Sequence, residues 1–531
     1  MNLLNRLAAL AAVALLGAAP GDRPGVPGRV AGGPAAPASR AGALPGPFTL
    51  FGWVSPPASV TTEARVAEMA GAGLNLAMPA WNDSGRVRDN LARLDWAAGQ
   101  GMRCLLWDAR FDRFDSLDPG SPEGGAVLDS IVADYRGHPA FFGFAIGDEP
   151  PRSMWPLLRG IYDGLRRRDP DHPVWNNLLG PANFTNRDAW MGYVRDYLAQ
   201  VQPGILCDDY YEFFTAGNRG QFVENAAGLN AMAREAGLPF WSIVLIVQHG
   251  SYRAVTPGEL AWQTSMLLAY GARGIGYFTY WTPAPDTFWK WQPAVISYEG
   301  ERTGWYPVLQ ELNRKVRPVG EALAGLTWLA TGHAGGTPAG GTPFAPDGVL
   351  ARVDGRAALG HFVDAEGTRY VLLANADSSF SQTVGLTLAA PRRVWRMADG
   401  GGDWRELAAV PAPHGERVDV ALDAGGCALL RLDGPFAPLG AGRGPGLTVA
   451  PRPARGVVRL EVSGARPAGQ LEILDLHGRR LRSWRLGSPA ATLSWYGESD
   501  SGGTVPPGVY FARAEDTRGV TVARLQWLGR H

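Results

Sequence analysis

Between Phe48 and about Leu329 the chain alternates two kinds of segment. Short, almost wholly apolar runs occupy 48–54 (FTLFGWV), 75–81, 102–108, 141–147, 173–179, 204–211, 240–247 and 274–281 (GIGYFTYW). Longer stretches lie between them, with apolar residues recurring every three or four positions. Near-continuous apolar runs are the signature of parallel strands covered on both faces, and the 3–4 spacing is that of an amphipathic helix. TTEARVAEMAGAGL opens on a threonine suited to an N-cap, and TPGELAWQTSMLLAYGARG opens on Thr-Pro and ends near glycine. GAVLDSIVADYRGHP and SMWPLLRGIYDGLRRRDP each stop at a proline. Eight strand–helix units across 47–331 predict an α/β fold, a (β/α)8 TIM barrel. An open doubly wound sheet would need fewer units and a glycine-rich turn after its first strand, and WVSPPAS is not one.

From about 332 the pattern shortens to period-2 runs punctuated by Asp-Gly, Glu-Gly and Gly-Gly, which predicts an antiparallel β-sandwich over 332–434. A Gly/Pro-rich linker follows at 435–446, and a final strand-rich unit covers 447–531. Its LDLHGRRL and GVYFAR pieces resemble the small immunoglobulin-like C-terminal modules of secreted bacterial proteins, the FlgD-like or sorting type. That resemblance implies export or surface retention and contact with secretion machinery or the cell surface. The first 20 residues read as a signal peptide, with Arg6 before an apolar stretch and small residues at Gly17–Ala19. Residues 21–46 read as a flexible linker. Localisation is therefore expected to be secreted or cell-surface.

Composition narrows the function classes. Lys+Arg and Asp+Glu are both 50, so no polyanionic partner such as nucleic acid is expected. No segment after the leader reads as a membrane span. Three cysteines give no disulfide framework and suit a bacterial export product with buried thiols. The eight histidines show no metal-ligand spacing, so neither a metal nor another cofactor is expected. The 19 tryptophans supply flat faces on which sugar rings can pack.

In a (β/α)8 barrel, chemistry sits at the C-terminal strand ends. Those ends carry Trp53; Trp81, Asn82 and Asp83; Trp107, Asp108 and Arg110; Asp148 and Glu149; and Asn176 and Asn177. Asp208, Asp209, Tyr210, Tyr211 and Glu212 follow, then Gln248 and His249, then Tyr280 and Trp281. Aromatics, amides and carboxylates converging on one rim are what a sugar-cleaving site needs. Asp208 and Asp209 point to opposite faces of their strand, so at most one looks into the mouth.

Asp148-Glu149-Pro150 closes the fourth strand, and AYGARGIGYFTYWTP with ISYEGERTGWYPVLQELN closes the last unit. These pieces resemble the large clan of retaining β-glycoside hydrolases that includes the family 42 β-galactosidase-like enzymes. The resemblance implies a secreted glycoside hydrolase using carboxylate acid/base chemistry on an oligo- or polysaccharide. Glu149 would be the general acid/base, with Asp148 in place of the clan's asparagine. The clan's nucleophile ends strand seven, where this chain has Gln248. Replacement carboxylates are Asp209, Glu212 and Asp208. Trp53, Trp81, Asn82, Asp108, Asp148, Asn176, Tyr210, Gln248, Tyr280 and Trp281 are the expected substrate contacts. The missing acid also admits a non-catalytic carbohydrate-binding barrel, and the C-terminal unit admits a cell-surface adhesion protein.

Overall fold

The computed structural model describes residues 48–529 except 82, 414, 434–443, 467–468 and 477. The expected signal peptide, the linker at 21–46 and most of the second linker lie outside the described residues. Eight parallel strands form the first unit: β1 (Thr49–Trp53), β2 (Leu76–Ala77), β3 (Arg103–Leu106), β4 (Phe141–Asp148), β5 (Val174–Asn177), β6 (Leu206–Asp209), β7 (Phe240–Leu245) and β8 (Gly274–Phe278). Their order is β5-β4-β3-β2-β1-β8-β7-β6, and a Leu178–Asp208 bridge joins the ends into a barrel.

The helices follow the expected segments. α1 (Glu63–Gly71) is capped by Thr62. α2 (Val87–Gly99) and α3 (Pro122–Tyr135) come next, and α4 (Trp155–Arg168) ends just before Pro170. After α5 (Arg187–Gln200) and α6 (Phe222–Ala236), α7 (Pro257–Ala269) begins on a full capping box between Thr256 and Glu259. The last helix, α8 (Trp305–Ala324), closes the barrel layer. Among the described residues no helix is long and apolar enough to cross a membrane.

Two cores keep the strand faces apart. The inner one holds Phe51, Leu105, Phe142, Trp175, Cys207, Trp241, Ile243 and Leu245. The outer one, between strands and helices, holds Leu50, Leu106, Phe144, Leu206 and Val244. β4 departs from simple alternation: its pairing with β3 skips a residue between Phe141 and Gly143. Gly143 has φ +156°, and a Cβ there would lie 2.0 Å from the Pro173 carbonyl oxygen, so only glycine fits.

The β-sandwich begins at Thr327, a little before the expected boundary. β9 (Thr327–Ala334) is followed by β10 (Leu350–Asp354), β11 (Ala357–Val363), β12 (Arg369–Asn375), β13 (Gln382–Leu388), β14 (Val394–Met397), β15 (Trp404–Leu407), β16 (Val410–Ala412), β17 (Gly415–Leu422) and β18 (Cys427–Leu432). They form sheets β9-β11-β12-β18-β14-β15 and β10-β13-β17-β16.

The C-terminal unit pairs two further antiparallel sheets around Trp495 and Trp527. Its strands include β19 (Gly446–Ala450), β20 (Val458–Ser463), β21 (Gly469–Leu474), β22 (Arg480–Leu486), β23 (Ala490–Trp495), β24 (Gly508–Asp516) and β25 (Gly519–Trp527). It docks on the sandwich through Leu329, Val363, Leu474, Phe511 and Val522. Cys104 and Cys207 are buried thiols, and Cys427 is a half-buried one.

Candidate active site

GFAIGDEPP is the end of β4, and it delivers two acids to the barrel mouth. Glu149 stands in the left-handed region at φ 45°, a conformation disfavoured for a side-chain-bearing residue. Its N–H is satisfied by the Asn177 carbonyl at 3.0 Å, and Pro150 and Pro151 follow at once. The strand therefore stops on a sharp turn.

Asn177 ends β5 on the same face as Trp175. Its Nδ2 donates to Asp148 Oδ1 and to Asp209 Oδ1, both at 3.2 Å. Asp148, Asp209 and Asn177 thus form one hydrogen-bonded cluster, to which Glu149 is tied by its backbone N–H.

Their protonation follows from packing. Burial, then the charges of Asp209 and Asp148, hold the Glu149 carboxyl well above the usual carboxylate range. Burial, then Asp209, pushes Asp148 up to about 7, opposed by the Asn177 amide. Burial also raises Asp209, opposed first by the Asn177 amide.

Aromatic rings surround the cluster. Trp53 lies half-buried 5.2 Å from Trp175. Tyr211 meets Phe278 at 5.2 Å and Tyr252 at 5.3 Å. His249 stacks on Trp291 at 4.5 Å, with Trp289 beyond it at 5.7 Å. Burial lowers the His249 imidazole to about 4, so it is neutral at physiological pH.

Several expected contacts lie elsewhere, because every second residue of a strand faces the helices. Asp208 accepts from Ser242 Oγ at 3.0 Å on the outer face. Asn176 accepts from the Tyr162 and Tyr197 hydroxyls of α4 and α5. Tyr210 packs on Phe222 of α6 at 5.9 Å. Glu212 Oε1 accepts the backbone N–H of Gly220 at 2.5 Å, just before α6. Asp108 is fixed by Arg110 and, at 2.6 Å, by the Tyr135 hydroxyl. Asp83 is paired with Arg93.

Tyr280 and Trp281 belong to the outer core, and Arg65 covers the Trp281 ring at 5.2 Å. Gln248 is exposed on the rim, and its carbonyl accepts from Gln292 N at 3.0 Å. Trp81 ends a short strand, Ala80–Trp81, beside Ser55–Pro57, and Asn82 lies outside the described residues. Asp148, Glu149 and Asp209 meet around Asn177, and Trp53 lies against Trp175 of the same strand as Asn177. Asn177 and Tyr211, which stood only among the strand-end residues, join them. Trp289 and Trp291 were missed, although the alternating aromatics of FWKW could have marked a ring-presenting segment.

No protein-family description matches the chain, and no curated protein matches it. Similar solved structures exist at low identity. A β-galactosidase from psychrophilic Marinomonas ef1 is 11% identical with TM-score 0.40, over 53% of this chain and 62% of that one. The chain thus spans less than two thirds of that protein's length. A β-galactosidase from Bacillus circulans sp. alkalophilus is 10% identical with TM-score 0.49, over 73% of this chain and 99% of that one. A glycoside hydrolase family 5 protein from Bacteroides vulgatus is 11% identical with TM-score 0.44, over 72% and 88%.

Proposed function

We propose that this protein is a glycoside hydrolase whose general acid is Glu149, acting on an oligo- or polysaccharide. One observation carries the reading: β4 ends by setting the Glu149 carboxyl in the barrel mouth beside the Asp148–Asn177–Asp209 cluster. Burial, then the charges of that cluster, hold it above the usual carboxylate range. Leaving-group protonation needs an acid that holds its proton near neutral pH. The half-exposed faces of Trp53, Trp289 and Trp291 suit the C–H faces of sugar rings. The position of Glu149 at the end of β4 supports kinship with the family 42-like clan. An export signal at 1–20 and a FlgD-like C-terminal module would make it a secreted or cell-surface enzyme, which fractionation of the native cells tests.

Asp209 has a different part from the one expected of a partner carboxylate. A retaining pair stands about 5–5.5 Å apart and an inverting pair about 6.5–9.5 Å. Asp209 shares the Asn177 amide with Asp148, the residue beside the acid, so it stands on the acid's side of the mouth. Its part in this reading is to tune the acid.

The test is hydrolysis of a panel of aryl glycosides and natural oligosaccharides by wild type and Glu149→Gln. The variant should lose about 10²–10⁴-fold on poor leaving groups and less on activated aryl ones. Equal turnover of a natural oligosaccharide by both proteins overturns the assignment.

A second reading, a non-catalytic sugar-binding barrel, is favoured by one feature. The inner face of β7 ends on Leu245, and no carboxylate replaces it there. Glycan binding without turnover would select that reading.

A further inference from the structure

The site has an acid and no protein nucleophile in view. Among the described residues, the other carboxylates of this rim are engaged or turned elsewhere: Asp83 with Arg93, Asp108 with Arg110, Asp208 with Ser242, Glu212 with the Gly220 N–H, and Glu299 and Glu301 in a loop whose Gly300 and Arg302 pack on α1 outside the barrel. Asp286 accepts the backbone N–H groups of Phe288 and Trp289 in the loop after β8. Asp209 is held with Asp148 by the Asn177 amide, on the acid's side of the mouth. Asp148 precedes Glu149 on the same barrel wall, so it cannot attack a sugar carbon from the face opposite the acid.

Asp148 is nonetheless placed to act. Asn177 occupies its Oδ1, and among the described residues no hydrogen bond engages its Oδ2. An acid beside a hydrogen-bond acceptor, with no nucleophile across from them, fits a substrate that brings its own.

We propose that the substrate is a 1,2-trans glycoside of a 2-acetamido sugar, whose acetamido oxygen is the nucleophile and whose N–H is oriented by Asp148. This rests on the glycosidase reading above. In the first step the Glu149 carboxyl gives its proton to the glycosidic oxygen as the C1–O bond breaks. The acetamido carbonyl oxygen supplies the electron pair for a new bond to C1, forming an oxazolinium ion whose N–H donates to Asp148. Water then attacks C1 and passes a proton to the Glu149 carboxylate. The C1–O bond of the ring intermediate breaks and its electron pair restores the amide. The sum is glycoside plus water giving sugar plus alcohol, with configuration retained and no covalent enzyme. The 1,2-trans requirement follows because the acetamido oxygen must enter opposite the leaving group.

The test compares 4-methylumbelliferyl β-glycosides of N-acetylglucosamine and N-acetylgalactosamine with those of glucose and galactose, using the full chain. The acetamido substrates should be turned over and the 2-hydroxy ones should not. Within the wild type, mono-, di- and trifluoroacetamido substrates should lose rate stepwise, because fluorine drains the attacking oxygen of electron density. Asp148→Asn should lower kcat on the acetamido substrates by about 10²–10⁴-fold with KM little changed. Turnover of glucosides or galactosides at equal rates, or a flat fluorine series, overturns the inference and leaves a glycosidase. Failure on every glycoside overturns both readings. The fluorine series uses unaltered protein, so it decides the matter even if Asp148→Asn does not fold.

Discussion

Glu472→Gln removes the acid that lies between two arginines in the seam between the barrel and the C-terminal unit, leaving Arg513 with Glu515 at 2.7 Å and Arg234 without its carboxylate. Glu472 Oε2 lies 3.2 Å from Arg234 Nη2 of α6 and 3.0 Å from Arg513 Nη1 of β24. The three side chains are only 7–13% exposed. Arg234 Nε also donates to the Gly478 carbonyl at 2.9 Å, and Arg513 Nε to the Leu329 carbonyl at 3.1 Å. Those carbonyls anchor both guanidiniums in place, so neither can leave when the acid is neutralised. Breaking a buried ion pair by removing one partner costs about 3–5 kcal/mol. For a cooperative unit of about 200 residues, 1 kcal/mol moves the midpoint by about 2–4 °C, which puts the variant roughly 6–20 °C below wild type. The assay is thermal unfolding, with Glu406→Gln as the control. Glu406 pairs with Arg393 on the exposed sandwich surface, so its loss should leave the midpoint in place. The same acid sets a pH dependence. Burial opposes its ionisation, but Arg234 and Arg513 outweigh burial and hold Glu472 below the ordinary glutamate value. Its stabilisation is therefore present above the unfolded-state value and lost as pH falls through the depressed folded one. A Glu472→Gln midpoint within about 1 °C of wild type refutes the reasoning.

Other predictions concern the site and its supports. Asp209→Asn removes the charge that helps keep Glu149 protonated, so the alkaline limb of kcat/KM should move to lower pH; an unmoved limb would separate the two residues. In wild type, kcat/KM for an acetamido substrate should rise as pH passes upward through about 7, where Asp148 ionises, and this limb should vanish in Asp148→Asn. Asn176→Leu should leave KM unchanged but strand the Tyr162 and Tyr197 hydroxyls, costing about 1–3 kcal/mol for each in a denaturant titration. Trp291→Ala should raise KM roughly 2–12-fold with kcat nearly constant, the worth of about 0.5–1.5 kcal/mol of ring contact.

The barrel was legible in the sequence because buried parallel strands are written as apolar runs, and eight of them between helical patterns admit few other folds. Individual site residues were harder, for a local reason. At VWNN the two asparagines are chemically identical, and only the strand's phase, fixed by Trp175 facing inward, sends Asn177 to the mouth and Asn176 to α4 and α5. The same phase splits Asp209 from Asp208, and alternation along the strand made that split readable. On β4 even phase counting is insecure, because the irregularity at Gly143 shifts the register before the acids are reached. The ring of Trp291 reaches His249 from a loop, where the alternation of FWKW marks rings but no strand or helix rule says what they meet. Strand seven makes the sharpest case. By position Gln248 closes strand seven, yet it stands exposed on the rim, while Leu245 is in the inner core. Counting on from Trp241, Ile243 and Leu245, which face inward, puts Gln248 out of phase with the barrel interior, so the strand's phase, and not the residue's place at its end, decides what can reach the mouth.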